Sequence, residues 1–200
     1  MKVLLVSFGP FMAKDGTWVK QNITRRITTD LAINWQRIDC DLTVLRLSSS
    51  LEVTREALVK SLIAYHPDLV LCLGHAKGYK ALTLETRFLN RFSCRQESKK
   101  KFNGPIEASG AAYYDTNVPC VAGLVKYLQS CDIPAIAHCG PEGMDYLCNF
   151  AGYVVAHSAN TRPGGKFSYL LIQIPSKDDL PYEISLEGIR RAIHFLTNPL

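Results

Sequence analysis

Three runs constrain the fold of this chain most: "KVLLVSF" from Lys2, "DLVLCLG" from Asp68 and "LLIQIP" from Leu170. Each is apolar at nearly every consecutive position, so each needs cover on both faces, which is the pattern of a strand buried inside a parallel sheet. Helix-forming segments lie between and after them. Trp18, Ile23, Ile27 and Leu31 recur at near-helical spacing; Ser49 and Glu52 form a capping box that opens a helix stopping before Pro67; "SLEGIRRAIHFL" closes the chain. "DLTVLRL" and "IPAIAH" add strands, and a further helix spans about 121–128. In "ALTLETRF", Leu82 and Leu84 alternate with Thr83, Glu85 and Arg87, the period of a strand with one polar face. Residues 90–119, rich in Gly, Pro and Ser, read as an irregular excursion with a short hairpin. Strand and helix alternate almost throughout. The expected fold class is α/β: one domain over 1–200, a three-layer α/β/α sandwich around a mainly parallel sheet with room for an antiparallel part.

Composition agrees with a single core. Of the 200 residues, 47% are hydrophobic and 20% charged, and no Ser/Gly/Pro-rich linker or repeat divides them. The net charge of +5 is partly concentrated in "RQESKKK", Arg95 to Lys101, which carries no interleaved aromatics and reads as a solvated loop, not a nucleic-acid patch. Seven cysteines at irregular spacing, with no C-x-x-C, argue against a disulfide framework and a structural zinc site and suit a reducing compartment, the cytoplasm. The apolar start "MKVLLVSFGPF" lacks the h-region and cleavage site of a signal peptide, and no apolar run approaches the roughly 18 to 20 residues that cross a bilayer.

In open α/β sheets, ligands gather beyond the carboxyl ends of the strands. Three segments converge there: the "FGPF" loop, the "GHAKGYK" loop and the end of "LLIQIP". Cys148 lies near the start of an expected helix in "DYLCNFAGYVVAH", where a helix dipole favours a thiolate, although buried structural cysteines are common. His157, nine residues on, falls on the opposite side of that helix, about 13 Å along it, and cannot serve the sulfur. On pattern alone Glu85 reads as a solvent-facing carboxylate before a catalytic one, and Phe8 and Phe11 as loop-packing aromatics.

Together these residues resemble the type I pyroglutamyl peptidases, cysteine peptidases that remove an N-terminal pyroglutamyl residue. "FGPF" is similar to that family's phenylalanine-bearing loop. "GHAKGYKALTLETRFLN" resembles its glutamate signature without a gap, with Gly74, Gly78, Glu85 and Asn90 in register; "DYLCN" resembles its cysteine signature and "LLIQIP" its histidine segment. The resemblance implies Cys148 as nucleophile, Phe8 and Phe11 sandwiching the lactam ring, Glu85 as the third triad member, and His75 and Asn90 beside the substrate. It departs from the family where the catalytic histidine should stand, because this chain has Gln173 followed by Ile174 and Pro175. An amide gains no proton near neutral pH and cannot act as general base. Tyr79 and Thr86 also replace arginines of the pattern, and Gly143-Met144 its Ala-Gly.

Two readings follow. One is a divergent cysteine hydrolase with an impaired triad, in which His75, on the ligand rim, is the only histidine with a plausible route to act as a substitute base, while His138, ending its strand, could approach the same rim. The other is a non-catalytic relative that binds a blocked N-terminus or a partner protein. The expected partner is a peptide with a pyroglutamyl N-terminus, and a homo-oligomer is compatible with the sequence; no cofactor, metal, nucleic acid or membrane is expected.

Overall fold

The computed structural model describes residues 1–12, 18–35, 40–48, 50–95, 101–139, 147–162 and 166–198. In chain order the elements are β1 (Lys2–Phe8), β2 (Phe11–Met12), β3 (Trp18–Val19), α1 (Ile23–Asn34), β4 (Asp41–Leu47), α2 (Leu51–Tyr65), β5 (Leu69–Ala76), β6 (Leu82–Glu85), β7 (Arg87–Leu89), β8 (Phe92–Arg95), β9 (Lys101–Gly104), β10 (Tyr113–Asp115), α3 (Val121–Gln129), β11 (Ala135–His138), α4 (Leu147–Thr161), β12 (Ser168–Pro175) and α5 (Tyr182–Thr197).

Six strands form the central sheet in the order β11-β6-β12-β5-β1-β4. β4, β1, β5 and β12 run parallel, β6 joins β12 antiparallel, and β11 lies parallel to β6. The apolar runs sit where their composition demands. Alternate residues of β1, β5 and β12 enter two separate cores: Val3, Leu5, Leu71 and Ile172 pack with α1, α3 and α5, while Leu4, Val6, Val70 and Leu171 pack with α2 and α4. This is the expected three-layer α/β arrangement with a mixed, mostly parallel sheet.

Local differences from the sequence reading have local causes. α1 begins at Ile23 because the Asn22 side chain accepts from Thr24 N–H and caps it, and Trp18 belongs instead to the β2–β3 pair. Ser49 lies outside the described residues; Ser50 occupies the N-cap of α2 without a side-chain cap bond. That helix ends at Tyr65, where His66 turns left-handed at φ 50° before Pro67. The lysine run from 96 to 100 also lies outside the described residues. Around it, β8 and β9 pair as a hairpin.

The strand with the polar face departs most from expectation. β6 is buried along its whole length, with Thr83 2% and Glu85 1% exposed. Thr83 and Glu85 do not face solvent. They lie opposite Gln173 and Leu171 of β12, on the face that α4 covers.

Candidate active site

Cys148 is the second residue of α4, so its sulfur stands by the helix's unpaired N–H groups. Two contacts hold this end of α4 in place. The buried Asn149 amide donates to Leu89 O and Arg91 O and accepts from Leu89 N–H, tying the helix to β7 and the residues after it. One turn on, Gly152 lets the Phe88 ring against the helix, at a place where a Cβ would come within 2.5 Å of that ring.

The sulfur faces the sheet at the carboxyl end of β5. Gly74 stands there opposite Gln173 of β12, and its missing side chain makes the room: a Cβ would overlap Gln173 Oε1 and stand 3.0 Å from Cys148 Sγ. The amide and the thiol therefore crowd the same Cα. Gln173 Oε1 is buried with no hydrogen-bond partner. The His75 backbone N–H points at the sulfur and favours its anion, as does the cysteine's own N–H, but enclosure dominates and pushes the thiol up to about 12, with the nearby Glu85 charge adding to the rise. Cys148 as a residue is half-buried; its sulfur is the enclosed part. Enclosure thus favours the neutral thiol over the thiolate that would act as nucleophile.

Glu85 is the buried carboxylate of this face. Its Oε2 lies 2.7 Å from His138 Nδ1, and its Oε1 is buried with no partner among the described residues. The β6–β11 register puts His138 directly beside Glu85. Burial raises the Glu85 carboxyl, and the His138 hydrogen bond and charge oppose that rise. Tyr79 completes the cluster: burial raises its phenol first, then the charges of Glu85 and Cys148. The Tyr79 loop is shaped by Gly78 at φ 85°, a left-handed conformation that suits glycine, and Asp179 fastens it by accepting from Gly78 N–H and Lys80 Nζ.

Cys148, Gln173 and Glu85 thus share one sheet face with His138, and Tyr79, from the loop after β5, lies close enough to feel the charges of Glu85 and Cys148; the sequence reading had His138 only as a histidine that could approach this rim. The signal for His138 was present in "IPAIAH" ending its strand, but its neighbour depends on a pairing between residues 53 positions apart. Glu85 and Gln173 are not hydrogen-bonded to each other: Glu85 Oε2 is taken by His138, and the ladder sets Gln173 opposite Thr83.

Other expected site residues lie elsewhere. The His75 side chain, alternating with Gly74, falls on the opposite face of β5, where Nε2 meets Ser176 Oγ at 2.9 Å and the ring packs edge-on to Phe11 at 5.8 Å. Burial lowers its pKa, but its imidazole does not face the sulfur, so it is not the substitute base. The Asn90 amide donates to Glu107 O and Gly110 O and accepts from the N–H groups of Ile106 and Glu107, leaving it no capacity for a substrate. Phe8 is 3% exposed, in the core that borders Cys148, whereas Phe11 is held against His75, so the two rings are not assembled as facing walls. His157 bonds Tyr114, well away from the thiol. Among the described residues no group of His, Cys, Asp and Glu is arranged to hold a metal ion, and no helix is long and apolar enough to cross a membrane.

The nucleophile-type atom on this face is the Cys148 sulfur, at the start of a helix that covers an α/β sheet. Comparison narrows this. The pyroglutamyl peptidase family profile matches residues 1–195, and the chain belongs to that family. It is 30% identical over 210 residues to the pyrrolidone-carboxylate peptidase of Pyrococcus furiosus, covering 96% of both chains, and 28% identical over 165 residues to that of Vibrio vulnificus, covering 80% of this chain and 73% of the relative. A crystal structure of a variant P. furiosus pyrrolidone carboxyl peptidase superposes with a TM-score of 0.87 at 26% identity, covering 100% of both chains.

Proposed function

We propose that this chain removes an N-terminal pyroglutamyl, or similar small acyl, group from peptides through a thioester on Cys148, and does so slowly because Gln173 occupies the family's histidine position. One observation carries the reading: the Cys148 sulfur crowds Gly74 together with the Gln173 side chain, on the sheet face that also holds Glu85. Phe8, in the core bordering the cysteine, is the aromatic that suits a flat lactam. Among the cysteines whose side chains are described none is joined in a disulfide, which fits a reducing cytoplasm. The edge strand β11, with Ile136 49% exposed, fits association of like chains.

Gln173→His tests the reading. An imidazole in place of the amide would reach the sulfur, and the unpartnered Glu85 Oε1 is available to orient it. Hydrolysis of a pyroglutamyl arylamide should rise at least about tenfold, since a positioned acid–base group usually contributes 10²- to 10⁴-fold, and Cys148→Ala in that background should abolish the gain. A folded Gln173→His protein without gain would favour the second reading, a binder of blocked N-termini, for which the strongly raised Cys148 thiol speaks.

A further inference from the structure

Across β5 from the thiol, on the side of α1 and α5, lies a cleft of about 650 Å³ whose cations come from three separate segments: Lys20 before α1, Arg25 and Arg26 in its first turn, and Lys177 after β12. A cleft of that volume holds a small organic ligand. Against these four positive charges the described lining sets two acids, Asp30 and Asp178, which leaves an excess of two. Asp30 is already engaged, accepting the Tyr182 hydroxyl at 2.6 Å, and Arg26 lies 3.9 Å over the Tyr182 ring. Lys20, Arg25 and Lys177 form no ion pair among the described residues. Cations scattered over a convex surface are screened one at a time; gathered round a concavity, their fields add.

The arginines also stand where their own helix disfavours them. They are the third and fourth residues of α1, in a first turn that carries no acid, at the positive end of the helix dipole. The helix needs no help there from a side-chain cation or from a ligand. Buried Asn22 accepts from Thr24 N–H and donates to Gly9 O, so the backbone start is already capped and fixed to the loop after β1. Positive charge at this point therefore costs the fold and gives it nothing in return, whereas an anion seated between the cations would turn each repulsion into an attraction.

We propose that this cleft binds a small organic oxyanion carrying two or more negative charges, a phosphate ester or a polycarboxylate, through Lys20, Arg25 and Lys177. The guanidinium grips either kind of group with two parallel hydrogen bonds, and the two ammonium groups answer its remaining charge. Arg26, held on Tyr182, adds its field from a fixed position. The site is independent of the peptidase reading, because the Cys148 sulfur packs on the opposite face of β5.

Thermal melting of the full chain tests this, with sodium pyrophosphate and sodium citrate titrated separately and sodium chloride holding the ionic strength constant. Either anion should raise the melting temperature in a saturating way, by at least about 3 °C. A response to pyrophosphate and not to citrate assigns a phosphate ester; the converse assigns a polycarboxylate. Arg25→Gln and Lys177→Gln should each weaken binding by at least about fivefold, measured by calorimetric titration, and the double variant should lose the response. Without anion, Arg25→Gln should melt no lower than the native chain, since it removes a cation from the positive end of α1, so its loss of binding cannot be put down to misfolding. Lys60→Gln, which removes the same charge from the exposed side of α2, should bind as the native chain does. The proposal is overturned if neither anion shifts the melt, if chloride at equal ionic strength shifts it as much, if the double variant still responds, or if Lys60→Gln loses as much as Arg25→Gln.

Discussion

A methyl group on Gly74 would overlap Gln173 Oε1 and stand 3.0 Å from the Cys148 sulfur, so the requirement for glycine here comes from close approach and not from backbone angle. Gly74→Ala should therefore displace the glutamine amide and the thiol together. Overpacking of this kind costs about 1 to 3 kcal/mol, and the variant should unfold at lower denaturant with its Cys148 alkylation rate changed severalfold in the same protein. A variant of native stability and native thiol reactivity would mean that the three groups are less crowded than described.

At the scale of elements, the reactive end of α4 depends on Asn149, whose three buried hydrogen bonds reach across to the backbone of Leu89 and Arg91. Asn149→Ala leaves those backbone groups unpaired. It should cost roughly 2 to 4 kcal/mol in urea unfolding and speed alkylation of Cys148 as its helix end loosens. How far such features can be read in advance varies with their range. The strands β1, β5 and β12 were legible because continuous apolar runs have one physical solution, and the place of Cys148 near the start of α4 because the apolar run after it is local. Trp18 was misplaced in α1 because its spacing suits a helix while the cap at Asn22 decides where the helix starts. Glu85 looked solvent-facing because alternation reports two unlike faces but not what covers the polar one; α4 does, from 60 residues downstream. His138 as its partner required the β6–β11 pairing, which no local pattern encodes.

Across the whole molecule, buried titrating groups set the response to alkali. Cys72 and Cys148 are both raised to about 12 from an ordinary 9.0, chiefly by burial. The folded chain holds these protons where the unfolded chain releases them. The stability so contributed is complete below pH 9 and is lost as pH climbs toward 12. Burial of Tyr153, raised to about 12, acts in the same direction. The melting temperature should fall steadily above pH 9, and less steeply in Cys72→Ala at matched starting stability; a flat profile to pH 11 would contradict this.

β5 has the Cys148 sulfur packed against one face and an open cleft against the other. Its residue His75 sends a backbone N–H toward the thiol and an imidazole the other way, to Ser176 and a cleft of about 650 Å³ lined also by Arg25, Arg26, Lys177 and Tyr182. A single peptide unit is thus mechanically common to both. A pull on the ring in the basic cleft is therefore expected to turn the N–H that faces the sulfur. Ser176→Ala, which removes the ring's tether 2.9 Å away and touches nothing on the far face, should change the alkylation rate of Cys148 by about twofold or more, the effect of a weakened N–H bond to sulfur felt across the strand.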